Sequence, residues 1–134
     1  MHILEARHLS QVLDYATLVD ALEAAFRRDV AVPPRHHHTV PVADGRDATL
    51  LLMPAWDANY LGIKTVTVMP ENGILDLPGV HANYQLLDRR TGAMLALLDG
   101  AELTARRTAA ASALASRYLS RPEAARLLMV GTGT

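Results

Sequence analysis

The run Tyr60-Leu61-Gly62-Ile63-Lys64-Thr65-Val66-Thr67-Val68-Met69 is dense in β-branched residues and holds a single charge. Ile, Val and Thr are stiff at χ1 and pack well on a pleated surface, so the run reads as a strand. The same texture returns on both sides, from Arg35 to Val42, Ala48 to Met53, Val80 to Asp88 and Ala93 to Leu98. Turn signals separate these segments: Ala43-Asp44-Gly45, Pro54 to Asn59, Pro70 to Gly79, and Arg89-Arg90-Thr91-Gly92. Connections this short leave no room for the crossover that a parallel pair requires, which predicts antiparallel neighbours.

Helical spacing frames the strands. From about Ser10 to Val30, Leu13, Ala16, Leu18, Ala21, Leu22, Ala25 and Phe26 recur with charged residues between them, Ser10 being the expected N-cap and Pro33-Pro34 the stop. A second helix is expected from Asp99, with Glu102 three residues on completing a capping box, as far as Leu119 and the break at Pro122. Its many alanines follow from helix propensity, although small residues also admit close neighbours. After Ser120 the chain leads through Leu127-Leu128-Met129-Val130 into Gly131-Thr132-Gly133-Thr134. An apolar strand running into Gly-x-Gly is how a dinucleotide-binding βαβ unit begins. The fold class expected is therefore α/β of the α+β kind: a mostly antiparallel sheet with flanking helices, then the first strand of a Rossmann domain.

Composition narrows the function. Thirteen Lys and Arg against 14 Asp and Glu leave a net charge of −1, which removes the basic field that sequence-independent nucleic-acid binding needs. Without cysteine there is no disulfide, thiolate nucleophile or Cys-ligated metal. No window reaches 18 apolar residues free of charge, and the N-terminus lacks a signal-peptide core, so no membrane segment and a cytoplasmic setting are expected.

Lys64 stands out, because the other twelve basic residues are all Arg. A primary amine can lose its proton when desolvated and a guanidinium cannot. Lys64 is thus a candidate for proton transfer, with a snorkelling strand-edge lysine as the alternative.

Several of these segments resemble the ornithine cyclodeaminase/μ-crystallin family. The likeness is carried by Pro34-Arg35, Met53-Pro54-Ala55, Gly62-Ile63-Lys64, Leu98-Asp99-Gly100, the run Leu103-Thr104-Ala105-Arg106-Arg107-Thr108-Ala109-Ala110-Ala111-Ser112-Ala113, and Gly131-Thr132-Gly133. The resemblance implies a substrate-binding and dimerisation domain over residues 1–120. It also implies the start of an NAD(P)-binding Rossmann domain over 121–134, in a protein more than twice as long. It implies NAD or NADP as cofactor, an α-amino or α-imino acid substrate and a homodimer. Lys64, Arg35, Arg107 and Met53 fall on substrate-site positions, with Lys64 catalytic, and Thr108, Gly131 and Gly133 on cofactor-site positions. A guanidinium can hold a carboxylate through two parallel hydrogen bonds, and Lys64 beside cations would have a lowered pKa suited to proton exchange. Without the motif, Arg107 reads as a surface charge paired with Glu102 or Asp99, and Arg35 as a solvent-facing strand end.

Ornithine-deaminating members of that family carry Glu two positions before the Met-Pro, where this chain has Leu51. Leucine can neither accept a proton nor orient water. The resemblance therefore points to reduction of a cyclic ketimine acid such as Δ1-pyrroline-2-carboxylate, with ornithine cyclisation and an alanine-dehydrogenase-type reaction as alternatives. The family's catalytic Asp lies beyond residue 134, so the complete protein is expected to be the enzyme and these 134 residues alone to be inactive. From another class, the chain alone would be a dimerisation or binding module. No metal site is expected: along a strand only His36 and His38 of the three consecutive histidines share a face. His81 reads as a packed strand histidine, with pocket lining as the alternative, Glu71, Asp76 and Asp88 as turn carboxylates, and Trp56 as a loop anchor, with a lid over the site as the alternative.

Overall fold

A computed structural model describes residues 1–43 and 45–131. Five strands form where the alternation placed them: β2 (His36–Val40), β3 (Ala48–Trp56), β4 (Tyr60–Val68), β5 (Val80–Asp88) and β6 (Met94–Asp99). Each runs antiparallel to the next. A further strand, β1 (His2–Leu4), lies parallel to β6, so the six-stranded sheet has the order β1-β6-β5-β4-β3-β2. Three residues are too few for a periodic signal, and β1 exists because β6 offers it a free edge.

β3 runs three residues past the expected end, through Pro54 to Trp56, which places Trp56 on a strand and not in a loop. Proline cannot donate to a ladder and is confined to places where that donor is not needed. Here β2 ends opposite Leu52, and the next contact on that side is the exchange between Ala31 and Trp56 at 2.9 and 3.0 Å. Pro54 lies in the gap between them, while Trp56 does anchor the segment before Pro33.

The first helical stretch is two helices, α1 (Ala6–Val12) and α2 (Tyr15–Phe26). Ser10 lies inside α1 and donates its hydroxyl to the Arg7 carbonyl, so it is no cap. Asp14 takes that role for α2, accepting the Thr17 N–H at 3.0 Å. A short carboxylate favours a cap over a helix interior, and this is why the stretch divides there.

The helix α3 (Gly100–Leu119) starts where β6 stops. Asp99 caps it, accepting the Glu102 N–H at 2.8 Å. Only that half of the capping box forms, because the Glu102 carboxylate takes the Arg106 guanidinium at 2.6 Å instead. Packing starts tight: a Cβ at Gly100 would stand 2.5 Å from the Ala82 carbonyl carbon, so glycine lets the helix begin against β5. α3 then lies against β5 and β6, α1 against α3, β6 and β1, and α2 against α3.

Val19, Ala110 and Leu114 form a buried cluster between α2 and α3, flanked by Leu18 and Leu22. The molecule exposes 10021 Å², against about 6,900 Å² for a compact monomer of this mass. Part of the excess lies in residues 121–131, which form neither helix nor strand. There the expected strand Leu127–Val130 is not formed, and all four side chains are exposed. A strand needs ladder partners, and among the described residues these four have none.

Candidate functional site

The antiparallel registers set one row of residues across the sheet. Met53 pairs with Lys64, Lys64 with Tyr84, and Tyr84 with Leu98. Side chains of directly paired residues stand on the same face. Arg35 precedes β2 by one residue, and the pairing of His36 with Leu52 brings the chain there toward the Met53 end of the row.

α3 brings its first turns over this row. The Lys64 Nζ donates to the Thr104 hydroxyl at 2.6 Å, and that hydroxyl donates its own proton to the Gly100 carbonyl. Burial pushes the Lys64 pKa below the ordinary value of 10.5, and the nearby charge of Arg107 adds to it. Both effects disfavour an ammonium. Arg107 is exposed and, among the described residues, has neither a hydrogen bond nor an ion pair. The expected pairing with Glu102 belongs to its neighbour Arg106, whose Nη1 also donates to the Leu13 carbonyl at 2.9 Å and whose guanidinium lies 5.1 Å from the centre of the Tyr15 ring. Arg35 is likewise exposed, with no partner among the described residues.

Two side chains at this site carry no signal of their own in the sequence. Thr104 lies within the quoted Leu103 to Ala113 run, and its role appears only when β4 and α3 are side by side. Tyr84 fills the space above Gly62, where a Cβ would collide with the phenol. Burial raises the Tyr84 pKa, with the Asp57 charge adding to it, so the phenol stays protonated. The period of two along β4 and β5 could have paired this gap with this ring. Leu51, half-buried, stands on the same face as Met53 and Lys64.

Of the cofactor candidates, Thr108 is exposed on α3, one turn past Thr104 and beside Arg107. Gly131 has a φ of 95°, the left-handed region that a tight glycine turn uses. Gly133 lies outside the described residues. His36 and His38 share a face with their rings 6.3 Å apart, and among the described residues no three of His, Asp and Glu are grouped to hold a metal. His81 is exposed next to Asn72, on the face opposite Lys64, and so is not packed. Asp88 accepts the Thr91 N–H within its own turn, whereas Glu71 reaches across to accept the N–H of Arg46 in another loop. Among the described residues no helix is long and apolar enough to cross a membrane.

The sequence profile of the ornithine cyclodeaminase/mu-crystallin family matches residues 2–134. A Delta(1)-pyrroline-2-carboxylate reductase of Colwellia psychrerythraea is 37% identical over 135 residues, covering 99% of this chain and 43% of that protein. The structure of Thermococcus litoralis Delta(1)-pyrroline-2-carboxylate reductase in complex with NADH and L-proline superposes with a TM-score of 0.76 at 33% identity, covering 90% of this chain and 38% of the other. An archaeal alanine dehydrogenase dimer with bound NAD gives 0.78 at 30% identity, with 92% and 38% covered. The chain thus spans about two fifths of the length of these relatives.

Proposed function

The chain belongs to the ornithine cyclodeaminase/mu-crystallin family, and on that premise we propose that the complete protein reduces a cyclic ketimine acid of the Δ1-pyrroline-2-carboxylate class to the amino acid. The observation that carries this reading is the pair Met53–Lys64 with the charge of Arg107 acting on Lys64 from α3 and Arg35 next to β2, the two guanidiniums having no partner among the described residues. A planar guanidinium binds a carboxylate bidentately, so Arg107 and Arg35 hold the acid group. Lys64, whose burial and the nearby Arg107 charge lower its pKa and so ease loss of its proton, supplies that proton to the ring nitrogen. Met53 offers an adaptable apolar contact to the ring methylenes.

A nicotinamide dinucleotide, NAD or NADP, would supply the hydride that reduces C2. Gly131, with its positive φ, and exposed Thr108 are suited to lie against it. The reductase relatives and the NADH complex support this choice. Leu51 supports reduction over cyclisation: beside Met53 and Lys64 it leaves an apolar wall where cyclisation of ornithine would need a group to direct water or an amine. A homodimer fits the surplus of exposed surface and the dimeric alanine dehydrogenase. We place the protein in the cytoplasm, free of membrane and nucleic acid.

The test is NAD(P)H oxidation by the complete protein with Δ1-pyrroline-2-carboxylate. Lys64→Ala is expected to lower kcat by about 10²–10⁴-fold, with NAD(P)H binding, read by fluorescence, unchanged. Undiminished turnover in that variant would remove Lys64 from the reaction, and ammonia release from ornithine without net NADH formation would select cyclodeaminase instead.

A further inference from the structure

We propose that Thr104 is a positioning residue for Lys64, its hydroxyl fixing the Nζ atom in the row beneath Arg107. The assignment of Lys64 as proton donor is the reading above, and the placement of its amine by Thr104 goes beyond it. A lysine side chain has four rotatable bonds and a strongly hydrated tip, so on its own it samples many positions. The ammonium also faces Arg107, whose like charge drives it away from the site toward water.

The Thr104 hydroxyl counters both tendencies. Its single proton is committed to the Gly100 carbonyl, so it presents only lone pairs to Nζ, which donates to it at 2.6 Å. The Gly100 carbonyl is itself fixed, because Gly100 is seated against Ala82 with no room for a side chain. The chain Ala82, Gly100, Thr104, Lys64 therefore transmits the rigid junction of β5 and α3 to one nitrogen atom. Among the described residues, the other two N–H bonds of the ammonium have no partner. Among the described residues Lys64 has no ion pair with a carboxylate: β5 sets Tyr84 beside it, β3 the uncharged Met53, and α3 Thr104 and Arg107, while Glu102 of α3 is tied to Arg106.

An acceptor favours the charged amine, so deleting it disfavours that form. In Thr104→Val, which removes the hydroxyl and keeps the shape, the Lys64 pKa is expected to fall below its wild-type value. Kcat for ketimine reduction should drop about 10-fold, the alkaline limb of its pH profile should move to lower pH, and KM for NAD(P)H should not change. Thr104→Ser restores the hydroxyl and both readouts. The amine is also followed without catalysis, by NMR titration of the complete protein labelled with ¹³C at lysine Cε, the Lys64 signal being identified by its loss in Lys64→Arg. Should the valine variant not fold, Thr104→Ala gives the same readout. A titration identical in wild type and in the variants without the hydroxyl overturns the proposal. A downward shift with no ketimine turnover by the wild type supports the Thr104 assignment and overturns the substrate reading.

Discussion

The two ends of α3 are built from the same small residues but differ in how their polar groups are used. Toward its C-terminal end, Arg117 bonds Asp20 and Glu23 of α2 at 3.0 and 3.1 Å, Tyr118 donates to Glu23 at 2.5 Å, and Leu114 and Ala110 close the apolar seam. At its N-terminal end, Thr104 meets Lys64, while Arg107 stands unpaired among the described residues. One end satisfies its donors and acceptors within the fold, and the other keeps donors in reserve. Adjacent Arg106 and Arg107 show the contrast at the scale of one peptide bond, since Arg106 is bound to Glu102, Leu13 and the Tyr15 ring. Unspent hydrogen-bonding capacity thus stands beside the half-buried amine of Lys64, and in the proposed reading that end meets the ligand.

The strongest challenge to this division is Leu114→Ala. Leu114 is 6% exposed, and truncating such a leucine costs about 2–5 kcal/mol. Chemical denaturation should register that loss, while the folded fraction keeps the Lys64 titration of the wild type. A changed titration would show that the two ends are coupled.

Next comes the arginine pair. Arg106→Ala removes a charged donor from a half-buried carboxylate and a carbonyl, and should cost about 1.5–3 kcal/mol. Arg107→Leu should change stability by less than about 0.5 kcal/mol but raise KM for the ketimine acid. It should also let the Lys64 pKa rise, because one cause of its depression is gone. In the proposed reaction Lys64 supplies its proton as the ammonium, so the alkaline limb of the rate profile should then move to higher pH. Denaturation curves and pH–rate profiles of the two variants test this, and exchanged phenotypes would refute the division.

The smallest effect is expected in acid. The Tyr118 hydroxyl, followed by the charges of Arg27 and Arg117, holds Glu23 below its ordinary pKa of 4.5. A carboxyl depressed by folding contributes stability above its unfolded pKa, which is lost as pH falls through the folded one. Urea titrations at pH 7 and at pH 3 should therefore show the α2–α3 seam weakening, and less so in Tyr118→Phe. Equal acid sensitivity of the two proteins would show that this hydrogen bond does not couple to folding.

Local chemistry made the sheet legible. β4 and β5 begin at the residues where the alternation placed them, because β-branched packing and turn residues act over a few positions. The division at Asp14 was not legible, since a helical stripe on either side of a cap keeps its period. Leu127–Val130 reads as a strand from composition, yet strands are cooperative and these residues have no described neighbour to pair with. At the site, Lys64 drew attention by its chemistry alone. Thr104 could not, because a threonine in an alanine-rich helix becomes a ligand for an amine only through a contact 40 residues away in sequence.

The fit of Tyr84 over Gly62 constrains how this sheet can diverge. An alanine at position 62 would meet the phenol oxygen, and its Cβ would also stand 2.5 Å from the ring carbon that bears it, so Tyr84→Phe would not make room. Position 84 must shrink before position 62 can grow. The two changes are tolerated in one order and not in the other, so the glycine two residues before Lys64 is held by history as well as by geometry.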